Sequence, residues 1–266
     1  MAKLPPFPGT TGRRDWRTAF EAIKKLLANG DDTTQVFRIM RALNVGSGPH
    51  GYARLLATPQ GGRLAAEQVE LAQRFTDRAW VNSFAPGTVG AAYREFLDTT
   101  GYSADGLVAV SRLDDQGDIK HPYAWFGRRS RDVHDIWHVL TGYKADESLG
   151  EAALVAFSYA QLTGLGWAFI GGAAALKSLR VTKGTLFAKA VWEGYQRGRK
   201  AAWLPGEDYE ALMHEPLEAA RKRLNLVEPV AYKHAQRVLG PAMASYLSQR
   251  REEHAEARAT PQKLAA

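Results

Sequence analysis

The stretch HDIWHVLTGYKADESLGEAALVAFSYAQLTGLGWAFIGGAAAL, His134 to Leu176, decides the fold. Its first part sets Ile136, Trp137 and Leu140, with Val133 just before, on one arc of a helix that turns by about 100° per residue. Taken as one helix from Tyr123 to Gly142, it closes at Thr141-Gly142, where glycine accepts the left-handed backbone of a helix end. From Ala152 to Leu176 no charged residue occurs over twenty-five positions. That length is enough for a membrane span. The composition argues otherwise, because Gly164, Gly166, Gly171 and Gly172 weaken a helix and Ser158, Gln161 and Thr163 are polar. Gly164 to Gly166 reads as a break, which predicts two short buried helices. The fold class that follows is all-α: a single multi-helix bundle with a central buried helix pair.

Outward from this stretch the helical period persists. Asp15 to Ala28 repeats Trp16, Phe20, Ile23 and Leu27, and Asp32 to Asn44 repeats Val36, Ile39, Met40 and Leu43 behind Asp and Thr as caps. Trp80 to Pro86 reads as a connector and Thr88 to Thr99 as a helix. Leu186 to Ala202, Glu207 to Leu224 and Tyr232 to about Arg258 follow, separated by Pro205-Gly206 and Pro229, with Pro216 kinking or splitting the second. Two-residue alternation is missing, so no extended sheet is expected. GSGPHG, Gly46 to Gly51, matches a dinucleotide-binding spacing, but a helix rather than a strand precedes it and Pro49 interrupts it; it reads as a helix–helix connector. The expected organisation is a flexible segment 1–13, one helical domain 14–258 and a flexible tail 259–266.

Composition narrows the chemistry. The 266 residues contain no cysteine, which excludes disulfides, thiolate metal sites and a cysteine nucleophile, so any metal must rest on nitrogen and oxygen. The net charge of +7 favours anionic partners. Arg13-Arg14, Arg128-Arg129 with Arg131, Arg197 to Lys200, Arg221 to Arg223 and Arg250-Arg251 mostly sit beside acids or at helix ends, the pattern of solvated helix faces. No nucleic-acid-binding signature accompanies them, and no nucleic-acid partner is expected. The N-terminus carries no apolar run of signal-peptide length, and a bacterial cytoplasm is the simplest location.

The polar flank of the opening helix holds the chemistry. His134 and His138 are four apart, one turn above the other, and Asp135 and Arg131 share their side. Two imidazoles and a carboxylate suit a divalent metal such as zinc, iron or manganese. The acid between the histidines is Asp, one methylene shorter than the Glu of H-E-x-x-H proteases, and is better placed to ligate than to act as a base. Glu151 opens the next helix, and an antiparallel return brings it back to the histidines; Asp146 and Glu147 are loop alternatives. The competing reading is a polar rim with Asp135 paired to Arg131. No second E-x-x-H exists for a di-iron bundle.

His134-Asp135-Ile-Trp-His138, Leu140-Thr141-Gly142 and Leu149-Gly150-Glu151 resemble the Coq-four family of ubiquinone (coenzyme Q) biosynthesis proteins. APGTVGAAYREFLDTTGYS (Ala85 to Ser103) and VWEGYQRGRKAAWL (Val191 to Leu204) are similar to its flanking segments, and the resemblance covers about Arg14 to Leu224. The spacer Val139 to Gly150 has twelve residues, one more than the family pattern. The resemblance implies an all-α protein, peripheral on a membrane, that removes the C1 carboxyl of a polyprenylated 4-hydroxybenzoate-type precursor, hydroxyl replacing it. It implies zinc, with iron or manganese as alternatives, on His134, Asp135, His138 and Glu151, with Glu147 as the other candidate for the last position. Arg131, Tyr159, Trp167, Glu193 and Arg197 are the candidate substrate- and lipid-binding residues, and Ala152 to Leu176 a candidate lining for an isoprenoid tunnel. Implied partners are the prenylated precursor, an anionic membrane surface, other quinone-biosynthesis proteins and a second copy in a homodimer. The implied location is the bacterial cytoplasm, on the inner face of the cytoplasmic membrane. A non-catalytic lipid-binding scaffold and a soluble metallohydrolase are the alternative functions.

Overall fold

The computed structural model of the chain describes residues 12–30, 32–102 and 120–241. Among these the fold is all-α, and the only extended pairing is an isolated antiparallel bridge between Thr88 and Pro216. In chain order the helices are α1 (Trp16–Ala28), α2 (Thr33–Leu43), α3 (Ser47–Leu56), α4 (Gly61–Glu67), α5 (Leu71–Thr76), α6 (Arg78–Asn82), α7 (Val89–Thr100), α8 (Pro122–Asp132), α9 (His134–Thr141), α10 (Ser148–Leu162), α11 (Leu165–Val181) and α12 (Leu186–Lys200). A 3-10 turn, Leu204–Gly206, precedes α13 (Tyr209–Leu212) and α14 (Leu217–Arg223), and helix resumes as α15 over 230–241. The expected ends of the domain, 1–13 and beyond 258, lie outside the described residues save for Gly12 and Arg13.

Local chemistry explains where helices begin. Asp15 accepts a hydrogen bond from Thr18 N at 3.0 Å and Thr88 from Ala91 N at 3.2 Å, each satisfying a donor that the first turn leaves unpaired. Asp77 accepts from Ala79 N and Trp80 N and thereby starts α6 at Arg78; the helix runs as far as Asn82, into the segment expected as a connector. GSGPHG is likewise more helical than expected: Gly46 takes the left-handed conformation and α3 begins at Ser47, so Pro49 falls in a first turn that needs no N–H from it. Pro216 splits the 207–224 segment into α13 and α14.

The main core surrounds α9 and α10. Val133, Ile136, Trp137 and Leu140 are buried there with Leu154, Phe157, Ala190 and Leu204. The α10–α12 pair is tight because Gly194 has no side chain; a Cβ there would lie 2.3 Å from Ala153 O. A second core joins α1, α2 and α11 through Ile23, Leu26, Ile39, Leu43 and Ile170. The expected stripe on α1 is shifted: Ala19, Ala22, Ile23 and Leu26 are buried, whereas Trp16 and Phe20 are exposed and pack edgewise on Phe169.

The uncharged stretch does divide into two helices. Thr163 closes α10 at φ 56°, and Gly164 precedes α11. No described helix is long and apolar enough to cross a membrane. Only α10 is buried along its length as expected; α11 buries Gly166, Ile170 and Gly171 but leaves Leu176 and Leu179 exposed.

Candidate metal centre

The residues expected to form one helix from Tyr123 to Gly142 form two, α8 and α9, interrupted at Val133. The break reorients Arg131, which pairs with Asp132 at 2.6 Å rather than with Asp135. It also makes α9 only eight residues long, so its last carbonyls need partners from elsewhere. Arg221 donates to Val139 O at 2.8 Å and to Leu140 O at 3.0 Å, and Arg197 to Thr141 O at 3.0 Å. Gly142, at φ 77°, ends the helix.

On this short helix His134 and His138 turn their Nε2 atoms to one point, 3.3 Å apart. The carboxylate of Glu151, from the first turn of α10, meets both: Oε2 is 3.5 Å from His134 Nε2 and Oε1 is 3.3 Å from His138 Nε2. His138 Nδ1 lies 2.9 Å from the carbonyl oxygen of Tyr143. A carbonyl only accepts, so Nδ1 carries a proton and Nε2 is the nitrogen turned to Glu151. The ring of Phe96, from α7, stacks over His138. His138 is enclosed, whereas the Glu151 side chain is 40% exposed, so the cluster opens toward solvent at its acid.

Among the described residues, this is the group of histidines and acids that could hold a metal ion. Their donor set fits one: a tetrahedron with metal–ligand bonds of about 2.0–2.1 Å has edges of roughly 3.3 Å, the separation of the two imidazole nitrogens. The carboxylate presents a different oxygen to each imidazole, and with one ligand atom from each residue the three lie within 4.8 Å of one another. Charge is balanced within the group. Burial works to raise the Glu151 carboxyl, but the two histidines outweigh it and hold the group far below the ordinary carboxylate range. Burial lowers His134, but its bond to Glu151, with that acid's charge and the charge of Asp135, brings it out above the usual imidazole value.

Of the expected ligands, Asp135 is not drawn into the cluster. It is buried, on the side of Tyr93, and desolvation raises its carboxyl. One residue past His134 the helix has turned by about 100°, which carries Asp135 off the face that the histidines share. Glu147 is also elsewhere: it accepts from Tyr232 Oη and from Gln236 Nε2. What lets Glu151 rather than Glu147 return to the histidines is Gly150, where a Cβ would meet Lys144 O at 2.0 Å; the loop folds directly onto the start of α10.

The other candidates stand apart. Arg197 is buried between Val227 O and Thr141 O, its guanidinium 4.9 Å from the centre of the Tyr143 ring. Glu193 accepts from Ala231 N and Tyr232 N at the start of α15. Tyr159 stacks on Tyr195, two turns along α10 from Glu151, and Trp167 packs against the α1–α2 core. Arg128 pairs with Glu70 and Arg223 with Glu207 and Glu215, acids that lie beside these basic clusters in the fold. Ala152 to Ser158, about a quarter of the proposed tunnel lining, are packed into the core. Tyr143, Phe96, Tyr232 and Arg221 carry no signal of this site in the sequence: Phe96 and the Tyr143 carbonyl reach His138, Arg221 reaches the last carbonyls of α9, and Tyr232 reaches the loop after it.

The chain is 27% identical over 190 residues to a mitochondrial ubiquinone biosynthesis protein of Botryotinia fuckeliana, covering 69% of this chain and 63% of the fungal protein. It is 29% identical over 172 residues to the mouse mitochondrial homologue, covering 64% and 62% of the two chains. The chain thus spans about three fifths of the length of these curated relatives. A crystal structure of a candidate ubiquinone biosynthesis protein from Nostoc punctiforme shares the fold, with a TM-score of 0.59 at 18% identity over 80% of this chain and 99% of that one. The curated relatives are named as mitochondrial proteins of fungi and animals, which overturns the expectation of a bacterial cytoplasm and its membrane's inner face. Residues 49–230 match the model of the family described as Coenzyme Q (ubiquinone) biosynthesis protein Coq4, and the chain belongs to that family of ubiquinone biosynthesis proteins.

Proposed function

We propose that His134, His138 and Glu151 hold a divalent metal, zinc before iron or manganese, and that the chain uses it to remove the C1 carboxyl of a polyprenylated 4-hydroxybenzoate-type ring at a membrane surface. The observation that carries this reading is the convergence of two Nε2 atoms and a carboxylate within 3.3 to 3.5 Å of one another, with the tautomer of His138 set by Tyr143 O. When bound, the ion supplies Lewis acidity toward the ring's carboxylate or phenolic oxygen.

The chain's own residues supply the rest. His138, enclosed under Phe96, is the fixed point, and the exposed side of Glu151 leaves an approach for a ring from solvent. In the reaction the C1–carboxyl bond breaks, CO2 leaves and a proton takes up the electron pair left on C1; where hydroxyl takes the carboxyl's place, C1 bonds dioxygen instead, and an external two-electron donor with two protons reduces the resulting hydroperoxide to hydroxyl and water. The para-hydroxyl pushes electrons toward C1. Exposed apolar residues support work at a lipid surface: Phe20 and Trp16 pack on Phe169, and Leu176 lies two turns further along that face of α11.

Metal analysis of the purified chain, joined to CO2 release from a prenylated hydroxybenzoate, tests the reading. One metal per chain and turnover are expected, both lost in His138→Ala. Full occupancy and full product in His134→Ala and His138→Ala sink it, and metal without turnover leaves a lipid-binding scaffold.

A further inference from the structure

We infer that Tyr232, at the start of α15, is a positioning residue for the His138–Glu151 site, acting through the loop that joins the two ligand helices. The inference rests on the metal reading above. Tyr143 to Glu147 connects α9 to α10, and its carbonyl at Tyr143 orients His138. Tyr232 holds this loop at three places. Its ring packs edgewise on Tyr143, centroids 4.9 Å apart. Its hydroxyl accepts from Lys144 N at 3.0 Å and donates to Glu147 Oε1. Gln236, one turn on, donates to both Glu147 oxygens at 3.0 and 3.1 Å.

The clamp is itself anchored. Glu193 of α12 accepts from Ala231 N at 2.8 Å and Tyr232 N at 2.9 Å, which fixes the first turn of α15 to the helix that packs on α10. Glu147 stands immediately before α10 and Glu151 in its first turn, so the grip on Glu147 also sets where the Glu151 carboxylate stands. One hydroxyl therefore governs both sides of the site: Tyr143 O on His138, and the start of α10 under Glu151. Tyr232 lies just beyond the segment 49–230 that matches the family.

The test uses the full chain with cobalt(II) as probe, reading affinity by chelator competition and geometry from the visible absorption of the bound ion. Tyr232→Phe keeps the ring on Tyr143 and removes only the hydroxyl. It should weaken cobalt binding about 10-fold, the low end for groups that orient ligands, and shift the spectrum. Glu147→Ala should do the same, while Glu147→Gln, which still accepts from Tyr232, should restore wild-type affinity. Thermal unfolding of the metal-free variants separates folding from positioning. Unchanged affinity and spectrum in Tyr232→Phe and Glu147→Ala, with or without lower stability, overturn the inference while leaving the metal site intact. If wild type itself binds no cobalt, or His134→Ala binds it as wild type does, the metal reading fails first and the positioning role with it.

Discussion

His138 Nδ1 donates to the carbonyl of Tyr143, five residues along the chain and past the end of its own helix, at 2.9 Å. A helix whose polar side were a mere rim would have no need to fix which ring nitrogen carries the proton. Here the bond aims the other nitrogen at His134 Nε2 and Glu151, 3.3 Å from each. Two imidazole nitrogens at that distance share one proton or one cation.

The first prediction separates the carboxylates. Glu151→Gln should reduce metal stoichiometry sharply, because an amide oxygen is a poorer ligand than a carboxylate for zinc. Asp135→Asn should retain one metal per chain, since Asp135 lies outside the cluster. Elemental analysis of the two purified variants checks this; loss of metal in Asp135→Asn would restore the aspartate as a ligand.

The metal-free protein should show a bounded stability window. The carboxyl of Glu151 is held low, so its stabilisation is present above the unfolded value of about 4.3 and is lost as pH falls through the folded value. His134 is held high, so its stabilisation is present below about 6.5 and is lost as pH rises through its folded value. Both describe one ion pair, fully formed between those limits. Urea unfolding of the chelated protein across pH 4 to 9 should therefore show the gap between wild type and His134→Ala narrowing above neutrality. Metal affinity should instead rise as His134 deprotonates.

Gly150→Ala should cost about 3 kcal/mol, the upper end for overpacking, because the new Cβ meets backbone rather than a flexible side chain. The displaced loop should also weaken metal binding. Denaturant titration with and without zinc measures both, and a neutral substitution would show that the loop yields.

Arg197→Ala should act on stability before it acts on substrate. Arg197 is 5% exposed and bonded to two backbone carbonyls, which the truncation leaves without that donor. The expected loss is roughly 2–4 kcal/mol. A folded variant of wild-type stability with a raised KM would return the arginine to substrate binding.

Leu176→Glu, at a side chain 69% exposed, should leave unfolding within about 0.5 kcal/mol of wild type and weaken flotation with anionic vesicles. Equal flotation would remove this face from the membrane reading.

Much of this protein is legible along the chain because helical period is local. The buried arc of Val133, Ile136, Trp137 and Leu140, the break at Thr163-Gly164 and the opposition of His134 and His138 all follow from a fixed turn per residue. The tertiary structure decided what local period leaves open. Asp135 and Glu147 are carboxylates like Glu151 and lie nearer the histidines in sequence, yet only Glu151 meets them. Where α10 begins depends on Gly150 letting the loop onto it and on Tyr232 gripping Glu147 from eighty-five residues away. Likewise the arginines that a sequence offers to anions are bound to carbonyls and acids here, because a short buried helix cannot leave its last carbonyls unpaired.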